Sequence, residues 1–201
     1  MEILCLDLEG VLVPEMWPKV ARDSGVEELM LTPADQPDFG RLMDRRLEAM
    51  TRHQLKLSSI QESVAELDPL PGAVEFMSWA SSNFQVVILS DTFYEIAMPL
   101  VRKIGNPFLL CHTLEVHDDQ VRRFHLRQPN PKTAAVRNLQ RMNKRILAVG
   151  DSYNDLAMLH AADKAYFLNA PAKITKQYEL FPNLTSFEEL TKELSYELEN
   201  A

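Results

Sequence analysis

Cysteine is nearly absent from this chain of 201 residues: Cys5 and Cys111 are the two it has, each inside an apolar run. Thiols so placed read as reduced core residues of a cytoplasmic protein and argue against a disulfide-stapled scaffold. No apolar run approaches the ~20 residues that span a bilayer, so no membrane partner is expected. The start, Met-Glu-Ile-Leu-Cys-Leu-Asp, lacks the positive charge and the longer apolar stretch of a secretory signal, which again predicts a cytoplasmic protein. Basic residues are in deficit, 21 Lys and Arg against 29 Asp and Glu, a formal charge of −8. That balance argues against a nucleic-acid partner, and the pairs Arg45-Arg46 and Arg122-Arg123 are too short to reverse it. Repeats and low-complexity tracts are lacking as well. What is present is 46% hydrophobic content, enough for a real core, in a length that suits one domain with an insertion or two small ones.

The apolar runs at residues 3–8, 85–89 and 145–149 are continuous rather than alternating and rich in Ile, Val and Leu, as parallel strands covered on both faces must be. Between them, residues 72–81, 93–104 and 131–142 carry apolar side chains at helical spacing, and Pro131 suits a first helical turn. This alternation predicts an α/β fold with a doubly wound, mainly parallel, Rossmann-like sheet. Two stretches depart from the rhythm. The region from Pro14 to Pro71 holds three helical patterns, at 15–24, 39–53 and 58–67, and reads as a helical cap inserted after the first strand, with Gly40 a weak point in the second. Asp68-Pro69-Leu70-Pro71-Gly72 is its stiff return linker, so residues 1–13 and 71–201 form the core and 14–70 the cap. The second departure, at 108–126, predicts a β-hairpin standing off the main sheet, its turn at His117-Asp118-Asp119-Gln120. Beyond Asp155 a helix to Ala161, a short strand at 165–168 and polar helical material follow.

Three acidic or hydroxyl-bearing segments sit where buried strands end: Asp7-Leu8-Glu9-Gly10, Ser90-Asp91-Thr92 and Gly150-Asp151-Ser152-Tyr153-Asn154-Asp155. Carboxyl ends of parallel strands form the crevice in which such folds bind ligands. If the first strand continues through Glu9, its period of two turns Asp7 and Glu9 the same way. Two carboxylates so placed repel, and a cation or strongly separated pKa values must relieve them. Gly10 allows a tight turn or a close approach of backbone to ligand. Asp151 and Asp155 add two more carboxylates; helix capping explains one residue of that segment, not four. Hard oxygen ligands in an anionic pocket suit Mg²⁺, which binds one or two carboxylates together with substrate phosphate. Ser90 can donate to a phosphate, and Lys132 stands in a first helical turn, where backbone amides also favour an anion.

The order Asp-x-Glu, Ser, Lys, Gly-Asp-x-x-x-Asp resembles the haloacid-dehalogenase-like phosphatases across essentially the whole chain, and the helical insertion after the first motif resembles their phosphoserine phosphatase branch. That resemblance implies a Mg²⁺-dependent phosphatase acting through an aspartyl phosphate. Asp7 attacks phosphorus, while Glu9 protonates the leaving alkoxide and then activates the acceptor. Mg²⁺ is held by Asp7, the Glu9 carbonyl and Asp151. Ser90 and Lys132 hold the phosphoryl group, Asp155 orients Lys132, and Asn154 reaches the substrate. Glu15 matches the family's glutamate for the substrate amino group, and Phe39 with Arg46 matches a cap pair in which the arginine forks onto the substrate carboxylate.

Glu9 stands where most phosphoserine phosphatases have aspartate, and Asp91-Thr92 where they have two glycines. Both differences, with Asp-Leu-Glu-Gly-Val-Leu and Ser-Asp-Thr-Phe, resemble the bifunctional branch that also passes the phosphoryl group to homoserine. Asp91 binds an acceptor's amino group if it turns into the site and caps the next helix if it turns away. Two readings stand beside this one: a phosphatase for another small phosphomonoester, and a non-catalytic phosphate or Mg²⁺ module. The joint presence of nucleophile, acid, lysine and metal carboxylate weighs against the last.

Overall fold

The continuous apolar runs become the central strands. A computed structural model describes residues 1–32, 35, 36 and 38–200. It begins with β1 (Ile3–Leu6), followed by α1 (Met16–Ser24), α2 (Phe39–Arg52), α3 (Leu57–Ala65), α4 (Ala73–Asn83) and β2 (Gln85–Phe93). Then come α5 (Tyr94–Val101), β3 (Phe108–His117), β4 (Gln120–His125), α6 (Pro131–Gln140) and β5 (Ile146–Gly150). The chain closes with α7 (Leu156–Ala161), β6 (Lys164–Leu168), α8 (Ala172–Thr175), β7 (Asn183–Leu184) and α9 (Phe187–Glu199).

Among the described residues these strands form one sheet in the order β4-β3-β2-β1-β5-β6-β7, parallel except where β4 joins β3. β1 lies between β2 and β5, with Ile3 opposite both Gln85 and Ile146. The chain winds outward from β1 first on one side and then on the other, so the carboxyl ends of β1 and β5 flank a topological switch point. Both faces of the sheet are covered, and alternate residues divide between them. Leu4, Leu6, Ile88 and Val149 pack toward α4, α5 and α9, whereas Ile3, Cys5, Val87 and Ala148 pack toward α6 and α7. Each fully buried Leu, Ile or Val contributes about 1.5–3 kcal/mol, and burial on both faces is why these strands show no polar alternation. Both cysteines are free and buried, and burial pushes the Cys5 thiol up to about 12.

The helices expected at 15–24, 39–53 and 58–67 form within two residues of those bounds. Asp38 starts α2 by accepting the Arg41 N–H at 3.0 Å, and Gly40, falling in the first turn, leaves the helix continuous. The outgoing and returning segments are tied together where the Leu70 N–H donates to the Leu12 carbonyl at 2.9 Å. Among the described residues no helix is long and apolar enough to cross a membrane.

Two expectations need correction. The segment at 108–126 does not stand off the sheet as a whole: Phe108 to Leu110 and His112 pair with β2, and the hairpin proper begins at Thr113. Its tip, where Asp118 and Asp119 take positive φ, reaches α3, and Asp119 accepts from the Ser58 N–H and Oγ at 2.9 and 2.6 Å. β1 also ends at Leu6, so strand alternation does not orient Asp7 and Glu9. A tight loop does so instead, closed by the Leu12 and Val13 N–H groups on the Leu8 carbonyl and the Gly10 N–H on the Val13 carbonyl.

Candidate active site

The loop after β1 exists because Gly10 is a glycine. Its φ is +80°, and a Cβ there would stand 2.2 Å from Asp151 Oδ2. Only a residue without a side chain lets the two strand ends come so close. Asp7, just past β1, is anchored by its N–H on the Val149 carbonyl at 3.0 Å, while its Oδ1 accepts the Leu8 N–H at 2.7 Å. Glu9 turns toward the insertion, and its Oε1 accepts the Met16 N–H at 2.8 Å at the start of α1. A carboxylate in that position satisfies an otherwise unpaired helix donor.

Past β5, Asp155 is fully buried and serves three partner residues. Its Oδ2 accepts the Asp151 and Ser152 N–H groups at 3.0 and 3.1 Å, and its Oδ1 meets Lys132 Nζ at 2.7 Å. Gly150 makes room for it, since a Cβ there would stand 2.4 Å from Asp155 Cβ. Lys132 comes from the first turn of α6, whose entry Asn130 takes φ 47° before Pro131. Its ammonium also lies 2.9 Å from Asp7 Oδ1 and 3.9 Å from Asp91 Oδ2. Ser90 is buried in β2, where its Oγ accepts the Thr92 N–H at 3.3 Å.

The second half of the pocket comes from the insertion. Arg46 of α2 is buried; its Nη2 donates to the Leu31 carbonyl at 2.8 Å and its guanidinium lies 4.4 Å from the centre of the Trp17 ring. Among the described residues its Nε is buried without an acceptor. Phe39 packs in an aromatic group with Phe93, His112 and Phe124.

One pocket gathers nearly all of the residues singled out in the sequence: Asp7, Glu9, Glu15, Phe39, Arg46, Ser90, Asp91, Lys132, Asp151 and Asn154 line it, with Asp155 buried behind Lys132. Asp91 is turned toward the pocket and does not cap α5, which has no side-chain cap. Three more residues belong to its surroundings. Trp17 supports Arg46, Ser152 forms a capping box with Asp155, and buried His112 faces Asp91 at 3.7 Å. Ser152 was legible as a cap three residues before an acid. Trp17 and His112 occupy ordinary apolar patterns and carried no signal of their own.

The electrostatics are unequal across this pocket. Burial and the neighbouring Asp155 hold Asp7 well above the usual carboxylate range against the pull of Lys132. The same two causes push Asp151 up to about 7. Burial, with repulsion from Glu15, pushes Glu9 up to about 7 although the Met16 N–H opposes the shift. Burial alone would lower Lys132, but Asp155, Asp7 and Asp91 overcome it and keep the ammonium charged. Burial brings Arg46 down to about 10, which leaves it protonated near neutrality. Asp91 is lowered despite burial because His112 and Lys132 favour its anion. Oxygens of Asp7, Asp151 and Asp155 lie within 4.8 Å of one another. Asp155 spends its oxygens on Lys132 and two backbone donors, which leaves Asp7 and Asp151 as hard ligands short of positive charge. That donor set fits Mg²⁺.

Comparison with known proteins agrees with this geometry. Residues 1–163 match the family model of the haloacid dehalogenase-like hydrolases. The chain is 48% identical over 194 residues to a protein named phosphoserine phosphatase ThrH from Pseudomonas aeruginosa, a match covering 96% of this chain and 95% of the other. A phosphoserine phosphatase of Pseudomonas syringae pv. tomato is likewise 48% identical over 194 residues, with 96% and 82% covered. The fold is similar to that of an apo phosphoserine phosphatase at a TM-score of 0.79 and 18% identity, over 95% of this chain and 98% of the other. A substrate-bound phosphoserine phosphatase complex gives a TM-score of 0.78 at 18% identity, with 97% of each chain covered.

Proposed function

The chain belongs to the haloacid dehalogenase-like hydrolases, and from that membership we propose that it is a phosphoserine phosphatase that forms an aspartyl phosphate on Asp7 and passes the phosphoryl group to water or to homoserine. The observation that carries this reading is one pocket lined both by groups suited to phosphoryl transfer, Asp7 and Lys132, and by groups suited to amino-acid recognition, Glu15 and Arg46. Its relatives at 48% identity are named for the same activity.

Asp7 attacks phosphorus through the carboxylate that Lys132 steadies at 2.9 Å, the P–O bond to serine breaks, and the electron pair leaves with the serine oxygen. Glu9, poised near 7, gives that oxygen its proton. The resulting Glu9 carboxylate then takes the proton of the incoming hydroxyl, from water or homoserine, as its oxygen attacks the aspartyl phosphate and frees Asp7. Ser90 and Lys132 bind the phosphoryl oxygens, and Asp155 keeps the ammonium aimed at them. Asp7, the Glu9 carbonyl and Asp151 would hold Mg²⁺, which supplies neutralisation of charge on the transferring group. Arg46 receives the substrate carboxylate, Glu15 its ammonium, Phe39 closes the pocket side, and Asn154 reaches the phosphate. Residues 14–70 act as the cap over a core made of 1–13 and 71–201, in the cytoplasm.

Release of phosphate from phosphoserine with Mg²⁺, measured with and without homoserine, tests this reading. Turnover, its loss in EDTA and the appearance of phosphohomoserine are expected. No release with Mg²⁺ present removes the substrate, full release in EDTA removes the metal, and release without phosphohomoserine removes the second acceptor.

A further inference from the structure

The chain reaches Lys132 through residues 126–130, which belong to neither β4 nor α6. Pro129 and Pro131 have no N–H with which to tie this segment down. Leu126 and residues 128–131 line a second cavity, of about 210 Å³, that also takes in Asp91. A cavity supplies no packing contacts, so the segment must be fixed by hydrogen bonds. Arg127 makes two, in two directions: its N–H donates to His112 Nδ1 at 3.1 Å, and its Nη2 donates to the Pro131 carbonyl at 2.7 Å. That carbonyl and the Lys132 N–H belong to one planar peptide unit, so the guanidinium grips the plane from which the Lys132 side chain departs. Buried His112 packs against Phe39 and Phe93, and with Nδ1 accepting, its proton sits on Nε2, 3.7 Å from Asp91 Oδ1. Asp91 Oδ2 lies in turn 3.9 Å from Lys132 Nζ. Among the described residues Arg127 Nε is buried without an acceptor, an exception that native structures seldom carry without a reason.

We propose that Arg127 is a positioning residue for phosphoryl transfer, holding the entry of α6 so that the Lys132 ammonium stays aimed between Asp7 and Asp155. Its backbone does the same for Asp91 by way of His112. The proposal rests on the reading of Lys132 as a ligand of the phosphoryl oxygens. Arg127 serves the reacting end of the substrate alone, so esters with and without a carboxylate feel its loss alike, in contrast to the loss of Arg46. Substitution removes the grip on Pro131 and leaves the backbone bond to His112 in place.

Arg127→Met, in the full chain with Mg²⁺, should lower kcat for phosphoserine and for p-nitrophenyl phosphate by the same factor, about 10- to 100-fold, the scale of a displaced catalytic group. Orthovanadate, which takes up the geometry of a phosphoryl group in transfer, should bind more weakly in proportion. Arg127→Lys, which keeps the charge and a donor for the carbonyl, should recover most of the loss. An unchanged kcat, a loss confined to phosphoserine, a fall in kcat with vanadate affinity intact, or an Arg127→Lys enzyme no more active than Arg127→Met overturns the proposal. If Arg127→Met does not fold, Arg127→Gln, whose amide ends where the arginine Nε stands, is held to the same outcomes. If p-nitrophenyl phosphate is turned over and phosphoserine is not, the substrate reading fails and the aryl ester decides this proposal. If neither is turned over, vanadate titration decides it: weaker binding to the variant supports the grip on Lys132, and equal or absent binding overturns it.

Discussion

The central strands carry a charge cluster at each end, and the two are built on opposite rules. At the amino end, Arg145 pairs with Glu197 and meets Glu2 at 2.8 Å; Lys164 reaches Glu197 at 3.0 Å, and Tyr166 donates to it at 3.3 Å. Two cations answer two anions. Burial alone would raise Glu197, yet Lys164 and Arg145 bring it below its ordinary range. At the carboxyl end, Asp7, Asp91 and Asp155 converge on one ammonium, Lys132, and Asp151 stands beside them at about 7. The balanced cluster fastens α9 to the sheet. The unbalanced one stores repulsion at the place where the proposed reaction would bring a cation and a phosphoryl group, and perturbed carboxylates of this kind often mark functional sites.

Replacing Asp7, the proposed nucleophile, separates the two rules most sharply. Asp7→Asn is expected to lower kcat by about three orders of magnitude or more, and in EDTA to leave the Tm equal or higher, because a neutral amide relieves the repulsion from Asp155 and Asp151. A lower Tm would show that the carboxyl end is as balanced as the other. Arg46→Ala should next raise the KM for phosphoserine about 10- to 100-fold, the worth of a charge-assisted fork, while p-nitrophenyl phosphate, which lacks a carboxylate, is spared. Equal losses for both substrates would take Arg46 out of recognition.

Arg145→Met probes the balanced end. It should cost about 1 kcal/mol in denaturant titrations, because Glu197 loses one of its two cations in a place partly open to solvent, with kcat/KM unchanged. The sign of the pH dependence follows from the depressed Glu197 carboxyl. Its stabilisation is complete above the ordinary glutamate pKa of about 4.3 and fades as pH falls through the lower folded value, so wild type and variant should converge in acid. A gap that widens in acid would contradict the pairing. Smallest is Asp119→Ala, outside both clusters, which should lower the Tm slightly by freeing the start of α3 from the hairpin tip. An undiminished Tm would mean that this tie adds nothing to the two clusters.

Much of the site was legible because its chemistry is local. Gly150 to Asp155 carries its own capping pattern, Pro131 marks the helix start that presents Lys132, and uninterrupted Ile, Val and Leu runs announce strands buried on both faces. Asp7 and Glu9 were found for a partly mistaken reason: they meet in one pocket, but through a glycine turn rather than strand alternation. The support of Arg46 by Trp17 and of Asp91 by His112 was not legible, since each joins residues on different elements whose own patterns look like plain core.

By itself, the sequence determined the α/β alternation, the helical insertion and the set of acidic strand ends, because strand and helix periodicities and caps are short-range properties of the chain. Tertiary structure alone decided that β1 and β5 stand side by side, that Gly10 brings Asp151 against the first loop, and that a second cavity opens behind Asp91. It also decided the protonation of these groups. Carboxyls at Asp7, Glu9 and Asp151 acquire their raised pKa values only when folding removes water and sets like charges together, and neither burial nor distance is written in a linear order of residues.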